Sequence, residues 1–183
     1  MSVYEKLKRL AADTDSLPYP IHEYAFMKTE EIPFSPQVRE ACEANMCGRY
    51  GKTWMCPPGV GDWRELKELY SGYQNAFVYT TKHDLEDSFD WEGMQEGGRQ
   101  HALVDDALLE ELKQEPEPHD LSGAGSCSLC EKCTYPDAPC RHPDKARRSL
   151  EACGIDVVAL SKAAGLHYIN GENTVTYFSI LYY

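Results

Sequence analysis

Apolar positions recur at helical spacing over residues 3–13, where Tyr4, Leu7, Leu10 and Ala11 share a face, and Pro18 and Pro20 end the run. Ile21–Lys28 alternates, with His22, Tyr24 and Phe26 on one side, and predicts a strand. Ser35 and Pro36 read as an N-cap and a first helical residue, opening a helix that carries Val38, Arg39, Ala41 and Cys42. Asp62-Trp-Arg-Glu65 has the form of a capping box. The helix behind it runs through Tyr70, keeps Trp63, Leu66, Leu69 and Tyr70 on its apolar side, and closes at Gly72. Aromatic and β-branched residues make Ala76–Thr81 a strand.

The second half begins with an acidic amphipathic helix, from about Glu96 or Arg99 to Gln114. Leu103, Ala107, Leu108 and Leu112 face inward and Asp105, Asp106, Glu110 and Glu111 outward. Gly97-Gly98 separates it from a turn around Trp91 and Met94. Adjacent helical residues do not face one another, so Asp105 and Asp106 are not a catalytic carboxylate pair. Glu115–Asp120 reads as a stiff, proline-bearing linker. Asp144–Ala152 predicts a helix ending at Cys153 with Gly154 as C-cap, and Val157–Ala164 a helix between Asp156 and Gly165. Leu166–Ile169, Asn170-Gly171 and Thr174–Tyr182 have the signature of a hairpin. The sum is one α+β domain over residues 1–183: a small, mostly antiparallel sheet flanked by helices, with cysteine-rich loops at one end holding the metal.

The chemistry lies in eight cysteines. Cys127, Cys130 and Cys133 stand at successive two-residue spacings, and Cys140 follows after six residues. Three thiolates so spaced let a loop wrap a [4Fe–4S] cluster, as in the ferredoxin run C-x₂-C-x₂-C-x₃-C-P, although here the last gap is longer and Arg141 replaces the proline. Zinc is the alternative metal, since it also takes closely spaced cysteines. Cys130, Cys133 and Cys140 match half of a fungal two-zinc cluster, but the other half is absent. His119 and His142 flank the run and read as loop residues.

The other block is Cys42, Cys47 and Cys56, on a loop with Gly48, Gly51, Gly59 and Gly61. Pro57 and Pro58 stiffen its exit, and Trp54 and Met55 are placed to screen a metal from water. Eight thiols allow two four-thiolate centres. The simplest split gives Cys127, Cys130, Cys133 and Cys140 to one, and Cys42, Cys47 and Cys56 to the other with Cys153 or an outside ligand. In a second pairing, the one two-cluster ferredoxins use, Cys56 completes the first centre and Cys140 joins the second. Cys153, alone at a helix end, reads equally as ligand or core residue.

At 183 residues the chain is long enough to bury a core. Its cysteine content is below that of a secreted disulfide scaffold, and neither a signal peptide nor a membrane span is read, so a reduced cytoplasmic setting is expected. The net charge of −12 is uneven. Between His83 and Asp120 thirteen acidic residues face two basic ones, a net of −11, whereas Arg39–Lys67 and Leu121–Cys153 each hold five basic and four acidic residues. Basic residues beside the cysteines offset an anionic cluster. The acidic segment either steers a basic partner or is a solvated helix face, and neither suits nucleic acid.

Cys47-Gly-Arg-Tyr-Gly-Lys-Thr-Trp-Met-Cys56-Pro-Pro-Gly resembles a prokaryotic family described as "predicted metal-binding protein". So do Cys127-x₂-Cys130-x₂-Cys133-x₆-Cys140-Arg-His-Pro and Ser149-Leu-Glu-Ala-Cys-Gly-Ile-Asp-Val157. The likeness runs from about Ile21 to the C-terminus and implies a cysteine-ligated metal, but no reaction and no partner. No Ser–His–Asp set, phosphate loop or dinucleotide fingerprint is present. The expected function is therefore metal binding by one or two [4Fe–4S] clusters, with electron transfer to a redox partner protein as the role. A zinc-stabilised interaction module and an iron–sulfur enzyme with an open iron are the alternatives.

Overall fold

The computed structural model describes residues 1–13 and 15–183. In chain order the elements are α1 (Val3–Ala12), β1 (Glu23–Lys28), α2 (Pro36–Glu43), α3 (Trp63–Ser71), β2 (Asn75–Asp84), α4 (Trp91–Leu112), β3 (Asp120–Ser122), α5 (Val157–Ala164) and β4 (Thr174–Tyr182). The strands form an antiparallel sheet in the order β1-β2-β4-β3. The α+β architecture expected from the sequence is the one observed.

The register explains why β2 and β4 are apolar on both faces. Successive residues of a strand point to opposite sides. Phe77, Tyr79 and Leu181 therefore meet Leu7 and Leu10 of α1 and Val104, Leu108 and Leu112 of α4. Their neighbours Val78, Ile180 and Tyr182 meet Leu66 and Tyr70 of α3, Leu160 of α5, and the loop residues Leu150, Cys153 and Ile155. Burying each large side chain contributes about 1.5–3 kcal/mol, and truncating Leu108 to alanine costs about 2–5 kcal/mol.

Local signals hold at several ends. Asp62 accepts from the Arg64 N–H at 2.7 Å, Asp156 accepts from the Ala159 N–H at 2.9 Å, and Gly165 closes α5 at φ 70°. Five expectations are corrected. α4 begins at Trp91 and runs unbroken through Gly97-Gly98. Gly97 is there for contact: a Cβ at that position would sit 2.8 Å from the His83 ring. The buried side of α4 is accordingly rotated, so that Asp105 is inside while Leu103 is 52% exposed. In α3, Leu69 likewise faces outward. Asp144–Ala152 forms turns rather than a helix, because its backbone pairs elsewhere: Gly123 N–H bonds Arg148 O and Leu150 N–H bonds Gly123 O. Leu166–Ile169 is no strand, since its backbone donors go elsewhere: Leu166 N–H bonds Ser161 O at the end of α5 and His167 N–H bonds the Glu23 carboxylate.

Candidate metal centres

The two cysteine loops leave the sheet separately and pack on each other. Residues 44–62 join α2 to α3. The buried Arg39 guanidinium of α2 ties their end down, donating to Gly61 O at 2.6 Å and to Ala152 O at 3.0 Å. Residues 123–149 form the other loop, closed at its base by the Gly123–Ser149 bridge. Across the seam, Arg49 Nη2 donates to Cys127 O at 3.1 Å and Trp54 Nε1 to Ala138 O at 3.0 Å. The Trp54 and Tyr135 rings meet edge to face at 4.8 Å. Gly59 is required at this seam, for a Cβ there would lie 2.8 Å from both Thr53 O and the Tyr135 ring.

Cys127, Cys130, Cys133 and Cys140 line one cavity of about 430 Å³, together with Arg49 and Trp54. His142 and Met55 are on the same wall. Burial works against the Cys133 thiolate, yet the N–H groups of Tyr135, Trp54 and Thr134, with the Arg141 charge, outweigh it and draw the thiol below its usual range. Donors from both loops thus converge on one sulfur. Cys127 is instead raised, by burial and by the thiols of Cys140, Cys133 and Cys130.

A second cavity, about 760 Å³, is lined by Cys42, Cys47 and Cys56 with Glu151, and Arg49 borders this one too. Burial pushes the Cys42 thiol up to about 11, helped by Glu151 and Cys47 and opposed by Arg39. Glu151 is solvent-exposed. The protein around it still raises its carboxyl, opposed by its own backbone N–H and by Ser149. The structure places Cys140 with the first set and Cys56 with the second. Cys153 lies apart from both, wholly buried, with Ser122 Oγ at 3.8 Å and Tyr70 Oη at 4.0 Å. Burial pushes its thiol up to about 11, opposed by Ser122, Tyr70 and Arg148.

Among the described residues no three His, Cys, Asp or Glu side chains already stand in place to hold a single ion. The donor set nevertheless fits an anionic, sulfur-ligated group. Arg49 Nε and Thr53 Oγ1, both on the wall of the four-thiol cavity, are buried donors without a protein partner. His22 instead bonds Asn170 at 3.0 Å, and His119 bonds Glu117 O at 2.9 Å.

Sequence reasoning missed three features. Glu151 sits inside the block that carries the family resemblance, but nothing in its spacing assigned it a role. Arg49 was one loop cation among several. The third is a buried polar chain beneath α4. His83 and His101 both bond Thr81 Oγ1 at 2.8 Å, and His101 Nε2 meets Ser179 Oγ at 2.8 Å. Asp105 Oδ1 accepts from Ser179 Oγ at 2.9 Å and from Tyr79 Oη at 2.6 Å. Burial keeps both imidazoles low in pKa and Tyr79 high. Arg147, at the base of the second loop, approaches Asp105 at 3.9 Å, so this chain anchors the loop.

An antiparallel sheet between helices, with two adjoining cavities lined by seven cysteines, defines a cysteine-rich metal-binding protein. The chain belongs to the family described as "Predicted metal-binding protein (DUF2284)", whose profile matches residues 25–182. No curated protein and no solved structure matches it. No helix among the described residues is long and apolar enough to cross a membrane.

Proposed function

We propose that the chain is a cytoplasmic electron carrier holding a [4Fe–4S] cluster on Cys127, Cys130, Cys133 and Cys140, with a second cluster on Cys42, Cys47 and Cys56. The observation that carries this reading is the four-thiol cavity, where sulfur donors line a chamber of about 430 Å³ instead of closing on a point. Tetrahedral zinc, with Zn–S near 2.3 Å, would draw its sulfurs to about 3.8 Å from one another. A cluster holds its four thiolates farther apart, at the corners of a cube. The Tyr135, Trp54 and Thr134 N–H groups on Cys133 support the same reading, because hydrogen bonds to sulfur stabilise and tune such a group.

When bound, the cluster supplies one-electron chemistry. The chain's own residues hold it by thiolate, offset its charge through Arg49 and Arg141, and exclude water with Trp54 and Met55. Cys153 remains a core residue in this scheme. The partner is a basic redox protein, drawn to the acidic segment around α4, where Phe89 and Trp91 are exposed. Anaerobic purification with iron and sulfide analysis, and electron paramagnetic resonance of the reduced protein, test the reading. Iron with equimolar sulfide is expected; a colourless protein with stoichiometric zinc and no sulfide would sink it.

A further inference from the structure

The two cavities differ in what completes them. The first has four thiols. The second has three, and Cys153, the remaining cysteine, is turned into the core against Ser122 and Tyr70. What the second cavity holds in addition is the Glu151 carboxylate. Glu151 lines the same cavity as Cys42, Cys47 and Cys56, and among the described residues no Lys, Arg or His side chain lies within ion-pair distance of its carboxylate. A carboxylate and three thiols sharing one wall repel one another once ionised; a bound cation is what relieves that repulsion.

We propose that Glu151 is the fourth, displaceable ligand of the Cys42, Cys47 and Cys56 centre, and that the remaining space admits a small anionic oxygen donor, a carboxylate, to the iron that Glu151 vacates. The assignment rests on the iron–sulfur reading of this cavity. An oxygen ligand binds iron of a cluster less firmly than thiolate does, so the corner that Glu151 holds is the one open to exchange. The cavity, at about 760 Å³, is much larger than its four-thiol neighbour and lies within the range of small-molecule sites, about 300–1,000 Å³. Its walls suit such a ligand. Arg49, which borders both cavities, supplies a guanidinium, Ser126 and Gln95 supply polar groups, and Met46 and Trp91 supply apolar area. Exchange at this corner also separates the roles of the two centres: one coordinately closed for electrons, one open for a ligand.

The test uses the full chain, loaded anaerobically, and follows iron, sulfide and the paramagnetic signals. Ferricyanide should take one electron from the second centre, which then loses Fe²⁺: [4Fe–4S]²⁺ gives [3Fe–4S]⁺, Fe²⁺ and that electron, recovered as ferrocyanide. Added ferrous iron with dithionite should reverse the change. Glu151→Cys supplies a fourth thiolate and is expected to suppress this release, and Glu151→Gln to weaken retention of that iron about tenfold or more. Citrate, the probe for a carboxylate ligand, should shift the signal of the reduced wild-type centre and leave the Glu151→Cys signal unchanged. Circular dichroism and iron at the four-thiol site confirm that each variant is folded. If both Glu151 variants release iron as the wild type does, the ligand assignment is overturned. If the triple variant Cys42→Ser, Cys47→Ser, Cys56→Ser keeps the full iron load, the reading of a cluster in this cavity falls, and the assignment with it.

Discussion

The four-thiol and three-thiol cavities share Arg49 and a common seam, yet Cys133 in one and Cys42 in the other are treated in opposite ways. In the first, backbone N–H groups from two loops and Arg141 draw the Cys133 thiol down. In the second, burial and the Glu151 charge push the Cys42 thiol up to about 11. One sulfur of the first loop is drawn toward its anionic form, although Cys127 beside it is raised by burial and by its neighbouring thiols, whereas Cys42 in the second cavity is raised by burial and a carboxylate. The contrast shows that cysteine count alone does not define a site; the charges and donors packed behind each sulfur do.

The largest effect that would break this comparison is loss of a single ligand. Cys133→Ala should empty the four-thiol centre nearly completely and leave the three-thiol centre loaded, as read by iron per chain and by the surviving paramagnetic signal. Equal loss from both centres would show that they form one unit. Next, Asp105→Ala removes the acceptor of Tyr79 and Ser179 and leaves Arg147 paired only with the exposed Asp106. It should cost about 3–5 kcal/mol in urea unfolding, and should loosen metal at the four-thiol loop, whose base Arg147 anchors, more than at the other.

The opposite thiol shifts give a pH test on metal-free protein. Cys42 and Cys153 rise from an ordinary 9.0 to about 11 in the fold. Folding therefore favours their protonated forms. Their contribution is complete below pH 9 and is lost as pH climbs through about 11. The buried Tyr70 and Tyr79, also raised, act in the same direction. The urea midpoint should stay level from pH 7 to 9 and then decline. Cys133, lowered in the fold, works in the reverse sense and should let the four-thiol loop take up metal at lower pH than the three-thiol cavity. The smallest effect is expected for Cys153→Ala: about 1 kcal/mol of stability from the small void, with both centres fully loaded. Loss of iron from that variant would return Cys153 to the ligand set.

Much of the scaffold was legible because its signals are local. Asp62 and Asp156 cap the helices they precede, Gly72 and Gly165 close them, and the aromatic and β-branched runs became β2 and β4. Misreadings arose where a distant contact overrode the local pattern. Gly97 has the local signature of a helix breaker, but its place is set by the His83 ring packed against it. Asp105 looked like part of a solvated face because its partners, Tyr79, Ser179 and Arg147, lie far away in sequence. Leu166–Ile169 has the pattern of half a hairpin, but its N–H groups go to the end of α5 and to the distant Glu23 carboxylate.

By itself the sequence determined that this is an acidic α+β protein with two cysteine blocks, since composition and periodicity are properties of neighbouring residues. Tertiary structure alone decided that Cys56 and Cys140 lie in different cavities, that Cys153 points into the core, and that Glu151 and Arg49 stand beside the thiols. Those facts depend on loops joined across the seam at Gly59, Trp54 and Tyr135. Contacts between segments so far apart in the chain follow from packing and leave no spacing to read.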